Sequence, residues 1–83
     1  MEARISLVYE DQREAKAVSE AVSPDNIKTP KNLLVETSRI DNLVVTSIRY
    51  DGDNLMTFSS TIEDFLRCVS VAEKTFLTLK TLR

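Results

Sequence analysis

Residues 33–50, LLVETSRIDNLVVTSIRY, contain the clearest structural pattern of this chain. Apolar and polar side chains alternate along both of its halves, and a period of two is typical of strands with one buried face. Asp41-Asn42 separates the halves, and both residue types tolerate the positive φ angles of a tight hairpin turn. The stretch therefore predicts two antiparallel strands, Leu33 to Ile40 and Leu43 to Tyr50.

Upstream of this hairpin, the sequence predicts a strand and then a helix. Residues 3–9 alternate like the hairpin strands. Asp11 is a suitable N-cap with Glu14 three residues later, and apolar residues then recur at helical spacing up to position 22. Residues 23–32 contain both prolines and predict a connection, in which Pro24 ends the helix.

Downstream, residues 51–54 form a loop and a long helix is expected from about Thr61 to near the C-terminus. Ser60 and Glu63 form a capping box at its start. The order strand, helix, strand, strand, helix, with a right-handed crossover, predicts an α+β fold. We expect a single domain over residues 1–83, with a three-stranded antiparallel sheet in the order 2-3-1 and both helices on one face.

The last helix carries two apolar stripes. The first is expected to pack on the sheet and comprises Ile62, Phe65, Val69, Ala72, Phe76 and Leu79. The second is either a flank that packs on the first helix or a seam for a partner helix. With Val18 of the first helix, it forms a predicted partner-helix interface: Val18, Cys68, Val71, Thr75, Thr78 and Leu82.

The face of the sheet that points away from the helices is mixed and small. Its residues are Arg4, Ser6, Val8, Leu34, Glu36, Ser38, Val45, Ser47 and Arg49. Two such sheets could join edge to edge or pack face to face, and unpaired edge strands recruit partners unless they are protected. Homodimerisation is therefore predicted, with a sheet interface at Ser6, Val8, Ser38, Val45 and Ser47.

Composition and net charge argue against two classes of protein, free-standing nucleic-acid binders and membrane proteins. The chain has 83 residues, 42% hydrophobic and 29% charged, which is an ordinary globular balance. A net charge of −2 disfavours a free-standing nucleic-acid binder. No apolar run approaches the roughly 20 residues of a membrane span, so we expect a cytoplasmic protein without membrane contact.

The residues that carry chemistry in other proteins are sparse here. The chain has no histidine, and its only cysteine, Cys68, is expected to be buried as a small hydrophobic residue. Asp51 and Asp53 are typical residues of a turn, and Glu63 and Asp64 are favoured at the N-terminus of the predicted helix, so neither pair of carboxylates needs a catalytic explanation. We therefore expect no catalytic residue, metal site or cofactor. A KH-like RNA-binding module is the alternative, but Gly52 is the only glycine and cannot supply a Gly-x-x-Gly loop.

The order of several short motifs resembles the small dimerisation subunit of the KEOPS complex, the Pcc family. Ala3-Arg4-Ile5 opens the first strand, and Ala17-Val18 is followed by Ala21-Val22-Ser23-Pro24-Asp25-Asn26 at the end of helix one. The segment from Leu55 to Leu66 resembles the family's entry into its last helix. The resemblance extends over nearly the whole chain.

This resemblance implies a non-catalytic subunit with the strand-helix-strand-strand-helix fold, similar to KH-like modules. It implies a homodimer formed through the sheets, or a heterodimer with a paralogue. Each protomer is expected to bind helices of the catalytic threonylcarbamoyltransferase subunit with its own two helices. The subunit thereby bridges two catalytic subunits that modify an adenosine of tRNA, and it reaches tRNA only through the complex.

Overall fold

The predicted hairpin is present in the computed structural model, which describes residues 1–22 and 32–81. Strands β2 (Leu33–Ile40) and β3 (Leu43–Tyr50) pair antiparallel, with Ile40 opposite Leu43. Only Asp41 and Asn42 therefore form the turn, and Asp41 has a φ of 53°. The prediction that this pair accommodates positive φ is confirmed at Asp41.

A first strand, β1 (Glu2–Val8), pairs antiparallel with β3 on its other side and places Ala3 opposite Ile48. The sheet order β1-β3-β2 is the predicted order read from the opposite edge. Two helices, α1 (Gln12–Ala21) and α2 (Leu55–Thr81), cover one face of this sheet. The predicted α+β fold is confirmed.

The core lies between the inner face of the sheet and the two helices. Its buried members are Tyr9, Ala15, Val18, Val22, Leu33, Val35, Val44, Ile48, Phe58, Phe65 and Val69. Thr46 is buried among them, and its hydroxyl oxygen lies 2.9 Å from that of Thr37. This hydrogen bond satisfies a polar group that would otherwise destabilise the centre of the core.

Helix α1 begins as predicted. Asp11 is the N-cap, with extended backbone angles, and its Oδ1 accepts a hydrogen bond from the Arg13 N–H at 2.9 Å. The helix ends at Ala21, and the Val22 N–H donates to the carbonyl oxygen of Val18. Pro24 and the connection that follows it lie outside the described residues.

Helix α2 begins at Leu55, not near Thr61, so the predicted capping box at Ser60 and Glu63 is wrong. Asn54 caps the helix instead, because its Oδ1 accepts from the N–H groups of Met56 and Thr57 at 3.0 and 3.2 Å. The added turn also carries Phe58, which is buried and stacks on Tyr50 with ring centroids 6.3 Å apart. This burial stabilises the early start of the helix.

The length of α2 exceeds that of the sheet. Its 27 residues extend about 40 Å, whereas strands of seven or eight residues extend about 26 Å. The predicted core stripe is therefore incomplete, since Phe76 is half-buried and Leu79 is 61% exposed. Among the described residues, no helix combines the length and the apolar character needed to span a membrane.

Candidate protein interfaces

An open groove of about 630 Å³ runs between α1 and the second half of α2. We call it the helix groove, and its lining residues are Ala17, Ala21, Asp64, Arg67, Cys68, Val71, Ala72, Thr75, Phe76 and Leu79. It exists because Ala17 and Ala21 are short while α2 continues past the edge of the core. Its lining is mostly apolar, and such exposed patches typically mark binding surfaces.

The structure brings together half of the residues predicted for the partner-helix interface. Cys68, Val71 and Thr75 line the helix groove and are exposed, so helix α1 does not cover this stripe. Thr78 is exposed but lies outside the lining, and its Oγ1 donates to the carbonyl oxygen of Lys74 at 2.9 Å. Leu82 lies outside the described residues.

Two sequence predictions about side chains in this region are wrong. Val18 has no exposed surface, because it points from α1 into the core and is not available to a partner. Cys68 is exposed, not buried, because it lies on the side of α2 that faces the helix groove. A helical period of 3.6 places residues on a stripe, but the neighbouring helix decides which edge of that stripe is covered.

Seven groove residues were not included in the predicted interface: Ala17, Ala21, Asp64, Arg67, Ala72, Phe76 and Leu79. Three of them, Ala72, Phe76 and Leu79, belong to the predicted core stripe. The alanines of α1 were the available signal, since small side chains leave space beside a helix. Asp64 and Arg67, the charged residues of the lining, form an ion pair at 3.5 Å and leave the groove without a concentrated charge.

A polar cluster lies where the N-terminus of α1 meets the second half of α2. The Tyr9 hydroxyl donates to Glu73 Oε2 at 2.7 Å, and Lys80 Nζ lies 3.9 Å from Asp11 Oδ2. Arg13 forms a shorter ion pair with the same Asp11 oxygen, at 2.8 Å. These contacts tie the last turns of α2 to the end of β1 and the start of α1.

Hydrogen bonds, burial and neighbouring charges shift the pKa values of Asp11, Glu14 and Tyr9 in and beside the polar cluster. Hydrogen bonds from the Arg13 side chain and backbone lower the pKa of Asp11 to about 2. Burial raises the pKa of Glu14, and the nearby Glu73 and Asp11 carboxylates raise it further. Burial, followed by the hydrogen bond to Glu73, raises the pKa of Tyr9 well above its ordinary value.

The polar cluster has a structural explanation. Within residues 1–22 and 32–81, no three side chains of His, Cys, Asp or Glu form a group able to hold a metal ion. Its hydrogen bonds and ion pairs instead connect elements that are distant in the sequence. Sequence reasoning missed this cluster, because the pairing of Tyr9 with Glu73 joins residues 64 positions apart.

The outer sheet face is the second candidate interface. The residues predicted for it share one face, and Ser6, Val45 and Ser38 lie side by side across the three strands. Ser6, Val8 and Ser38 are exposed, whereas Val45 and Ser47 on the central strand are half-buried. Val8 is 74% exposed and Ile40 is 70% exposed at the hairpin end of this face. Apolar side chains so exposed on a sheet surface are suited to contact with another protein.

Comparison with known proteins assigns the chain to a family. A family model described as "Transcription factor Pcc1" matches residues 2–77. The chain belongs to the Pcc1 family. Pcc1 is a family of KEOPS subunits, so the resemblance found in the sequence is confirmed. A search of curated proteins finds no match.

A solved structure supports the fold of this Pcc1-family chain. A chain from the "Crystal structure of binary complex Gon7-Pcc1" aligns with a TM-score of 0.59 and 18% sequence identity. The alignment covers 99% of the present chain and 94% of that chain. At this identity the likeness establishes a shared fold.

Proposed function

We propose that this chain is the non-catalytic dimerisation subunit of a KEOPS-type complex. Its outer sheet face binds a second copy, and its helix groove binds a helix of the catalytic threonylcarbamoyltransferase subunit. One dimer thereby bridges two catalytic subunits. It supports threonylcarbamoyl-adenosine modification of tRNA without supplying a reacting group, and it meets tRNA through the complex.

The helix groove is the observation that carries this proposal. Its floor contains Ala17 and Ala21, whose short side chains allow a third helix to approach closely. Val71 and Leu79, 59% and 61% exposed, offer apolar contacts along one side. Packed helices have axes about 8–10 Å apart, with the ridges of one helix in the groove of the other. A partner helix with apolar residues at spacings of three and four matches this shape.

Family membership and the structural likeness support an assembly role. Pcc1 is a family of KEOPS subunits, and the similar solved chain comes from a complex of Gon7 with Pcc1. The fold is therefore found in a protein with a protein partner. The dimer partner of the present chain is proposed to be a second copy, and a paralogue is the alternative partner.

Direct RNA binding is less well supported. A KH-like module contacts RNA through a Gly-x-x-Gly loop, and the only glycine, Gly52, lies in the loop after β3. Arg4 and Arg49 on the outer sheet face are interspersed with Glu2 and Glu36, so no basic strip is formed there. Nucleic-acid binders usually concentrate positive charge on one surface.

Light scattering tests the proposal. The purified chain is measured alone and after mixing with the KEOPS catalytic subunit from the same organism. We expect a dimer that takes up two catalytic subunits. Val71→Asp should weaken uptake by at least about tenfold, because it places a carboxylate in an apolar contact.

Leu77→Asp is the matched control. Leu77 lies on the same helix and is 54% exposed, close to the 59% of Val71, but it does not line the helix groove. This variant should bind the catalytic subunit like the unmodified chain. Equal uptake by the Val71 variant, or a chain that ignores the catalytic subunit, would contradict the proposed docking.

A further inference from the structure

The helix groove continues into a second cavity near the end of α2. This cavity has a volume of about 260 Å³ and is lined by Arg13, Phe76, Leu79 and Lys80. Phe76 and Leu79 line both cavities, so the two form one continuous surface beside α2. We call the second cavity the cationic end, because its two charged lining residues are both positive.

Charge is distributed unevenly along this continuous surface. In the helix groove, Asp64 and Arg67 neutralise each other as an ion pair at 3.5 Å. At the cationic end, the side chains of Arg13 and Lys80 are 66% and 56% exposed, and no carboxylate of the described residues lines the cavity with them. A docked partner therefore meets a mostly apolar groove without net charge that ends at two accessible positive charges.

Asp11, the acidic neighbour of both cations, already accepts short hydrogen bonds from Arg13 on each of its oxygens. Its Oδ1 accepts from the Arg13 N–H at 2.9 Å and from Nε at 3.2 Å, and its Oδ2 accepts from Nη2 at 2.8 Å. Lys80 Nζ lies 3.9 Å from the same Oδ2, which is longer than a hydrogen bond. The Lys80 ammonium can therefore bind a carboxylate from outside the chain without giving up a short bond to Asp11.

We propose that the helix docked in the helix groove carries an aspartate or glutamate that pairs with Lys80 at the cationic end. The inference rests on the proposed docking and specifies the chemistry of the partner helix. Phe76 and Leu79 form the apolar walls of the cationic end, so a bound group contacts them as well as the charge. A free anion such as phosphate has no apolar surface to match these walls, whereas an amphipathic helix presents apolar and acidic side chains side by side.

The spacing along α2 sets the position of this carboxylate on the partner. Val71 lines the helix groove, and Lys80 follows it on the same helix at a distance of about 13–14 Å along the axis. On a helix that runs alongside, residues about 7, 8 or 11 positions apart share a face. The acidic residue of the partner should therefore lie about 7–11 positions from the apolar residue that packs on Val71.

Isothermal titration calorimetry of the full chain with the KEOPS catalytic subunit from the same organism tests this pairing. Lys80→Glu should weaken binding by about tenfold in about 50 mM salt, because it replaces an attraction with a repulsion. In about 500 mM salt the loss should fall to about threefold or less, since salt screens exposed charges. Lys74→Glu is the matched control and should bind like the unmodified chain, because Lys74 is an exposed residue of α2 that lines neither cavity.

Asp11→Asn distinguishes pairing with the partner from a purely structural role of Lys80. Asparagine keeps an oxygen that caps α1 but removes the negative charge beside Lys80 and Arg13. If the partner's carboxylate meets Lys80, this variant should bind about two- to threefold more tightly, because the competing internal carboxylate is gone. If Lys80 acts only by holding α2 to α1 through Asp11, the variant should bind more weakly.

Failure of the charge pairing and failure of the proposed docking give different results. No binding by the unmodified chain would overturn both. Weak binding by Val71→Asp together with unchanged binding by Lys80→Glu would leave the docking intact and overturn the pairing. Weaker binding by Asp11→Asn, or an equal loss in Lys80→Glu at both salt concentrations, would also overturn the pairing. Circular dichroism on each variant ensures that loss of folding does not imitate loss of binding.

Discussion

The hydrogen bond between Tyr9 and Glu73 offers a sharp test of how the second half of α2 is held against the rest of the fold. Tyr9 is 8% exposed, and its hydroxyl donates to Glu73 Oε2 at 2.7 Å. Tyr9→Phe keeps the ring in the core and removes only the hydroxyl. The half-buried Glu73 carboxylate then loses its protein donor.

The expected loss follows from the charge and burial of the pair. A hydrogen bond to a charged group contributes about 1.5–3 kcal/mol, and partial access to water lowers this to about 1–2 kcal/mol here. For a chain of this size, each kcal/mol corresponds to about 4–8 °C in Tm. Tyr9→Phe should therefore lower Tm by about 5–15 °C.

Urea unfolding of Tyr9→Phe, Glu73→Ala and the double variant isolates the pair, because alanine removes the accepting carboxylate. A coupling free energy of about 1 kcal/mol is expected from this cycle. Tyr50→Phe, which removes the other tyrosine hydroxyl of the chain, is the control and should change stability by less than about 0.5 kcal/mol. A coupling below about 0.3 kcal/mol would mean that the two side chains act independently and that their hydrogen bond does not stabilise the fold.

The pH dependence supplies a second readout of the same bond. The pKa of Tyr9 is raised in the folded state, by burial first and then by the Glu73 hydrogen bond and charge. Its contribution is therefore fully present below about pH 10, the ordinary tyrosine pKa, and is lost as the pH rises through the folded-state value. The unmodified chain should lose stability above pH 10 more steeply than Tyr9→Phe.

Two further predictions concern the N-cap and the core. Asp11 has its pKa lowered to about 2, so its contribution is present above about pH 4 and is lost as the pH falls through 2. Asp11→Asn keeps a capping oxygen and should flatten the acid dependence of the unfolding free energy, and identical slopes in acid titrations would contradict this. Ile48 is fully buried on the central strand, so Ile48→Ala should cost about 2–5 kcal/mol and Ile48→Val about 0.5–1.5 kcal/mol in urea unfolding. Equal losses for the two variants would argue against a tightly packed site.

Local sequence patterns were sufficient to predict the sheet and the first turn of α1. The alternation along β2 and β3 assigned each side chain to the inner or outer face, because successive residues of a strand point to opposite sides. Asp41 and Asn42 set the hairpin register, and Asp11 set the first turn of α1. These features depend on neighbours within a few residues, which is the range over which a sequence pattern carries direct information.

The candidate interfaces needed more than local pattern. The residues of the outer sheet face were predicted correctly as one surface, because their order along each strand is a local property. The lining of the helix groove was predicted only in part. Val18 is buried in the core, whereas Phe76 and Leu79, which were predicted to pack on the sheet, line the groove. The helical period places Phe76 and Leu79 on the same face of α2 as the core residues, but it does not show how far the sheet extends beneath that face.

The order of the helices and strands, the strand order of the sheet and the family resemblance follow from sequence patterns alone. The start of α2, the end of its core stripe and the lining of the helix groove depend on tertiary contacts. Asn54 and the stacking of Phe58 on Tyr50 moved the start of α2 to Leu55. The bond from Tyr9 to Glu73 holds the second half of α2 against the residue that follows β1. Each of these outcomes depends on contacts between distant segments, whose energies no single stretch of sequence contains.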